Sequence, residues 1–169
     1  MKNIKYLFEF IIIITFFSIF KIIGYRNASN LGEKIGKIFG PLFRSSHVIQ
    51  KNLENLNYSY SHNEKKNIIK NMWGNYGRIF AEYMYLEKFR KNIISSNIEI
   101  NGQKILDEIK SKKEPVIFVS GHFNNFELMA MHLEKSGINL AAIYRPLNNK
   151  FLNPLMERIR KNYICKNQI

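Results

Sequence analysis

The hydrophobic positions fall into three textures along the chain. From Ile4 to Ile23 the run IKYLFEFIIIITFFSIFKII is apolar almost throughout, and its twenty residues would rise about 30 Å as a helix, the hydrocarbon thickness of a bilayer. Its uncharged centre is Phe10 to Phe20, bounded by Glu9 and Lys21 and containing Thr15 and Ser18. Two arrangements stay open: a spanning helix with Glu9 near the interface, or a helix lying obliquely with its Ile and Phe side chains among acyl chains. A cleaved signal peptide competes, since Lys2 and Lys5 precede the run, but no small-x-small cleavage pattern follows. A buried core helix lacks a comparable apolar partner in the next segment.

The second texture is helical. Leu31, Ile35, Ile38, Phe39 and Leu42 predict a short amphipathic helix over 31–43, broken by Pro41, and Ile49, Leu53 and Leu56 predict another over 46–56. Asn63 is placed to cap a longer one, whose broad face includes Ile68, Met72, Trp73, Ile79 and Phe80. Helical aromatic stripes usually bury against a neighbour, so core packing is preferred to membrane contact.

The third texture alternates strand and helix. Ile98-Glu99-Ile100 before Asn101-Gly102 reads as a short strand leaving through a turn, and residues 103–110 as a helix. After the basic linker Lys110 to Lys113, Val116-Ile117-Phe118-Val119-Ser120 is a continuous β-favouring run, the pattern of a strand buried on both faces. Phe126, Met129, Ala130 and Leu133 then keep helical spacing up to a stop at Gly137. A second apolar run, Ile138 to Tyr144, ends at Arg145-Pro146, and a helix starting at Asn149 or Asn153 carries Phe151, Leu155 and Ile159. This βαβα order predicts parallel strands joined by a crossover, with ligands bound beyond their carboxyl ends, where Gly121-His122 and Arg145 stand.

Composition narrows the partners. The chain has 169 residues, with 26 Lys and Arg against 13 Asp and Glu, a formal charge of +13 that favours anionic surfaces. No nucleic-acid motif accompanies the charge, so acidic protein and anionic lipid are preferred to RNA or DNA. Lys21, Arg26, Lys34 and Lys37 on the C-terminal side of the apolar run outnumber Lys2 and Lys5 before it, which predicts a cytoplasmic body. The solitary Cys165 excludes an intrachain disulfide framework and a cysteine-rich zinc site. Ser120 lacks the nucleophile-elbow pattern. His132 brings no further metal-ligand spacing, His47 and His62 lie in polar surroundings, and the basic group Arg158, Arg160, Lys161 and Lys166 reads either as a solvated face or as a contact for carrier protein or headgroups.

The most informative segment is Gly121-His122-Phe123-Asn124-Asn125-Phe126-Glu127. Five positions on one continuous helix would set His122 and Glu127 about 140° apart, whereas a loop-to-helix junction lets them meet. A carboxylate there would fix the imidazole tautomer and stabilise the imidazolium formed when the ring takes a proton from a hydroxyl. The adjoining helix N-terminus offers backbone N–H groups to a developing oxyanion.

Strand-Gly-His-Phe-x-Asn-aromatic-Glu-Leu, followed about twenty residues later by Tyr144-Arg145-Pro146-Leu147-x-Asn149, resembles the bacterial lipid A biosynthesis acyltransferases, the lauroyl and myristoyl transferase family. The likeness is densest from Val116 to about Arg160, and the order of parts extends it over the chain. It implies an α/β fold: an N-terminal membrane-anchor helix (1–25), a helical region (26–97) and the first βαβα part of an acyltransferase-type αβα sandwich (98–169). It implies an O-acyltransferase, without metal or other cofactor, that moves a fatty acyl group from an acyl carrier protein thioester to a hydroxyl of a lipid A precursor. The site would face the cytoplasm at the bacterial inner membrane. His122 would be the general base, Glu127 its orienting partner, and Asn125 and Arg145 substrate-binding residues, Arg145 for a lipid phosphate or the carrier's phosphopantetheine. The family more often has Gly-Asn-Trp where this chain has Asn124-Asn125-Phe126. It also implies a chain roughly twice this length, so a fragment, a split gene product or a degenerate copy is expected. Alternatives are another glycolipid acceptor, such as a mannolipid, and an inactive truncated protein at the membrane surface.

Overall fold

The computed structural model describes residues 2–44, 46–56, 59–94 and 98–169. The predicted boundary at residue 97 lies outside the described residues. The chain divides into two compact units, Phe16–Met84 and Met1–Thr15 with Tyr85–Ile169. Helix α1 (Lys2–Ile23) contributes its first half to the second of these and its second half to the first.

The unit Phe16–Met84 holds the end of α1, α2 (Tyr25–Phe39), a 3₁₀ turn at Gly40–Leu42, α3 (Ser46–Glu54) and α4 (His62–Glu82). Helix α4 begins two residues earlier than the Asn63 cap predicts. Ser61 Oγ accepts from the Glu64 N–H at 3.3 Å while Glu64 Oε2 accepts from the Ser61 N–H at 2.8 Å, so the reciprocal box with a Glu three residues on selects Ser61. Helices α2 and α4 approach backbone to backbone. A Cβ on Gly36 would lie 2.2 Å from the Trp73 carbonyl oxygen, and one on Gly77 would lie 2.0 Å from that of Gly32. Any larger residue must push the helices apart, because a packed interior has no slack at that distance.

Polar groups flank this contact. Ser29 Oγ donates to Glu82 Oε1 at 2.8 Å, Arg78 donates to Ser29 Oγ at 3.2 Å, and Glu33 pairs with both Arg78 and Lys37. The Lys37 hydrogen bond, with the charges of Arg78, Lys37 and Lys34, holds the Glu33 carboxyl below the usual carboxylate range against the opposing effect of burial. Part of the predicted aromatic face of α4 is core here: Phe80 packs on Phe17 and Phe20 of α1 with ring centroids 4.9 and 6.0 Å apart, whereas Tyr76, also on that predicted face, is exposed.

The other unit carries α5 (Leu86–Arg90), α6 (Gln103–Lys112), α7 (Glu127–Lys135), β1 (Ala141–Ala142), α8 (Leu152–Tyr163) and β2 (Asn167–Gln168). Helix α7 stops as predicted. Gly137 takes φ +85°, its N–H bonds to the Glu134 carbonyl and the next N–H to that of Leu133, the paired bonds that close a helix through a left-handed residue. Arg90 ties α7 to α8 by pairing with Glu134 and donating to the Tyr163 carbonyl at 3.2 Å. Asn149, one of the two predicted starts, leads into α8: its Oδ1 accepts from the N–H groups of Phe151 and Leu152. Asn153 instead uses its Oδ1 to accept from Tyr144 Oη and the Leu147 N–H.

The sheet is smaller than the apolar runs predict. Within Ile138 to Tyr144 only Ala141–Ala142 forms a strand, paired in parallel with β2, Ala141 opposite Asn167 and Ala142 opposite Gln168. Residues 98–100 and 116–120 form no strand, and Ile117 and Val119 are 91% and 90% exposed, so the expected doubly buried strand is corrected. A strand exists only through a ladder with a neighbour, and among the described residues 116–120 has none; the composition of the run shows compatibility with a sheet, not the presence of a partner. The described architecture is therefore mostly helical with a short two-stranded parallel sheet, and the strand–helix–strand order that forms is β1–α8–β2.

Candidate active site

A cavity of about 460 Å³ opens where the 116–120 segment gives way to α7. His122, Glu127, Tyr144, Arg145 and Arg160 line it, so the two predicted strand exits do converge although the first strand does not form. The turn between His122 and α7 depends on Asn124, which takes φ +44°. This is the left-handed region that glycine enters readily and that Asn tolerates better than most other residues.

Glu127 is the first residue of α7 and only 7% exposed. Its Oε1 accepts from Arg160 Nε at 3.0 Å and from Nη2 at 2.7 Å. The Arg160 guanidinium also lies over the Tyr144 ring, 4.6 Å from its centroid. One cation thus satisfies a buried carboxylate and stacks on an aromatic face, two roles that suit the planar fork of Arg better than Lys. The imidazole of His122 lies against Phe126, with ring centroids 4.1 Å apart at 58°. The ion pair seen is Glu127 with Arg160, and His122 and Glu127 line the same cavity.

Arg145 is exposed on the cavity's wall, and Asn125 is half-buried in the turn without lining the cavity. The N–H groups of Phe126 and Leu128 donate to the carbonyls of Asn124 and Asn125, so those two are spent on the turn rather than offered to an oxyanion. His132, read as a surface residue, approaches Gln103 Oε1 at 3.1 Å. Cys165 is buried and donates to the Leu140 carbonyl.

Arg160 is the residue that sequence reasoning missed, having been grouped with a basic face. A signal was present: Arg160 lies four positions after Met156 and four before Ile164, both buried, so a charge interrupts an apolar stripe. A charge at such a position needs a partner, and Glu127 supplies it.

An imidazole, a carboxylate and two guanidinium groups thus line one open cavity. Comparison with family models places the chain in the acyltransferase class. The model described as bacterial lipid A biosynthesis acyltransferase matches residues 1–166, and the chain belongs to that family. Its membership implies acyltransferase activity, an acyl donor, a lipid acceptor and association with membranes. No curated protein and no solved structure matches the chain.

Proposed function

We propose that the chain transfers a fatty acyl group from acyl carrier protein to a hydroxyl of a lipid A precursor at the cytoplasmic face of the bacterial inner membrane. The observation that carries this reading is the shared cavity of His122 and Glu127, with Arg145 on its wall. His122 takes the proton of the acceptor hydroxyl as its oxygen attacks the thioester carbonyl carbon. The tetrahedral intermediate collapses, the carbon–sulfur bond breaks, and the imidazolium returns the proton to the departing thiolate. Glu127 orients the ring and stabilises its charged form through a rotation of the exposed imidazole away from Phe126. Arg145 receives a phosphate of the lipid or of the carrier's phosphopantetheine, and Asn125 supports the substrate from the turn. Residues 98–169 act as the N-terminal part of an αβα core, behind the helical region 26–97 and the membrane-bound 1–25.

The test is acyl transfer in membranes containing the full chain, with labelled acyl carrier protein and a lipid A precursor. Transfer that disappears in His122→Ala supports the mechanism, and equal transfer by the variant removes His122 from it.

A further inference from the structure

The basic group at the end of the chain, Arg158, Arg160, Lys161 and Lys166, divides in the structure. Arg160 lines the cavity and is neutralised there by Glu127. Two residues turn a helix through about 200°, so Arg158 stands on the far side of α8 from Arg160, and Arg158, Lys161 and Lys166 are all exposed. Lys161 pairs with Glu157 at 2.6 Å, but both side chains are open to water, which makes the pair weak. Arg158 and Lys166 have no ion-pair partner among the described residues.

The excess of charge is local. Residues 145–168 carry six Lys and Arg against one acidic residue, Glu157. The same stretch supplies Arg145, Arg160, Ile164 and Gln168 to the cavity wall. With Arg160 spent on Glu127, the uncompensated cations of α8 lie on its outer side, where their field acts on whatever approaches the cavity.

An anionic bilayer and an acidic protein both answer to positive charge, and the side chains between the cations separate them. A helix face that enters a bilayer sets apolar groups beside its cations. Here no large apolar side chain between residues 148 and 168 is exposed: Met156 and Ile164 are buried, and Phe151, Leu152, Leu155 and Ile159 are half-buried. Lys150, Pro154, Arg158, Lys161 and Asn162 are what α8 and its leading residues present to solvent. Fixed cations on a polar face suit docking through complementary charge on another protein.

We infer that the outer face of α8 and the turn after it, through Arg158, Lys161 and Lys166, is the surface on which an acidic carrier protein docks. The inference rests on the reading that the acyl donor is a carrier protein, and it names where that carrier sits. Docking face and cavity wall are two sides of one helix about 10 Å across, so a carrier seated there holds its thioester arm next to the cavity.

The test uses the full chain in nanodiscs of phosphatidylcholine and a fluorescently labelled acyl carrier protein whose acyl chain is amide-linked and cannot be transferred. Anisotropy is expected to show saturable binding that weakens as salt rises. The triple variant Arg158→Glu, Lys161→Glu, Lys166→Glu is expected to bind about tenfold or more weakly, and a carrier with surface acids changed to lysine to regain part of that loss. Arg158→Gln with Lys161→Gln takes its place if the triple variant does not fold, with a smaller loss expected. Equal binding by parent and variant would overturn the inference. A fluorophore on Asn162→Cys, in a Cys165→Ser background, reports on the same face: quenching by nitroxide lipids in the absence of carrier would give the face to the bilayer and overturn it too. Binding is read without turnover, so the two readings fail separately. A chain that binds the carrier but transfers nothing upholds this surface and refutes acyl transfer, whereas transfer from acyl-pantetheine without carrier binding refutes this surface alone.

Discussion

The two units hold their parts together by opposite means. In Phe16–Met84, helices α2 and α4 touch through glycines, so fit is set by backbone atoms at contact distance and tolerates no added carbon. In the unit bearing the cavity, one short parallel pair and a few charged side chains position the chemistry, and apolar residues such as Ile117 and Val119 stay in water. Close backbone contact marks the first unit, and a buried ion pair beside a cavity marks the second. Substitutions should therefore be read out differently in each: as stability where glycines meet, and as activity or charge balance around the cavity.

The sharpest separation is His122→Ala, which should lower acyl transfer by about 10²- to 10⁴-fold with an unchanged thermal midpoint, measured by turnover and circular dichroism side by side. Next is Arg160→Ala, which leaves the buried Glu127 carboxylate uncompensated and should cost about 3 kcal/mol in urea unfolding. The double variant Arg160→Met with Glu127→Gln should regain most of that loss, and no recovery would show that the pair matters for something other than charge. In the helical unit, Gly36→Ala should destabilise by about 1–3 kcal/mol, because the new methyl group meets the Trp73 carbonyl. A variant as stable as the parent would show that α2 and α4 are not in backbone contact.

Smaller effects belong to helix ends and surface charge. Ser61→Ala should cost about 1 kcal/mol through loss of the α4 cap, seen as a lower unfolding midpoint. Glu33 contributes through its lowered pKa: it binds a proton more readily in the unfolded chain, so its stabilisation is present above the ordinary carboxylate range and is lost as the pH falls through the folded-state value. Unfolding measured down an acid series should show this decline in the parent and a shallower one in Glu33→Gln.

Helix positions were legible because a periodic apolar face needs no distant partner to be recognised. The segments of α2, α4 and α7 followed from spacing, and the Gly137 stop followed from the left-handed geometry that closes a helix. The candidate site was legible as residue types in a short segment, His122 and Glu127, since their chemistry is local to the chain. Arg160 was not, because its meaning comes from a carboxylate thirty-three positions away. The close α2–α4 contact was also missed, although Gly32, Gly36 and Gly40 recur every four residues and mark one smooth helix face.

What the amino-acid sequence determined alone is where most helices form, that one of them is apolar enough for lipid, and which side chains are candidates for acid–base chemistry. Only tertiary structure decided that Val116–Ser120 has no ladder among the described residues and that Glu127 is held by Arg160. The division has a physical cause. Helical hydrogen bonds close within four residues and are written into local spacing, whereas strand pairing, ion pairing and burial depend on groups that the chain brings together from far apart.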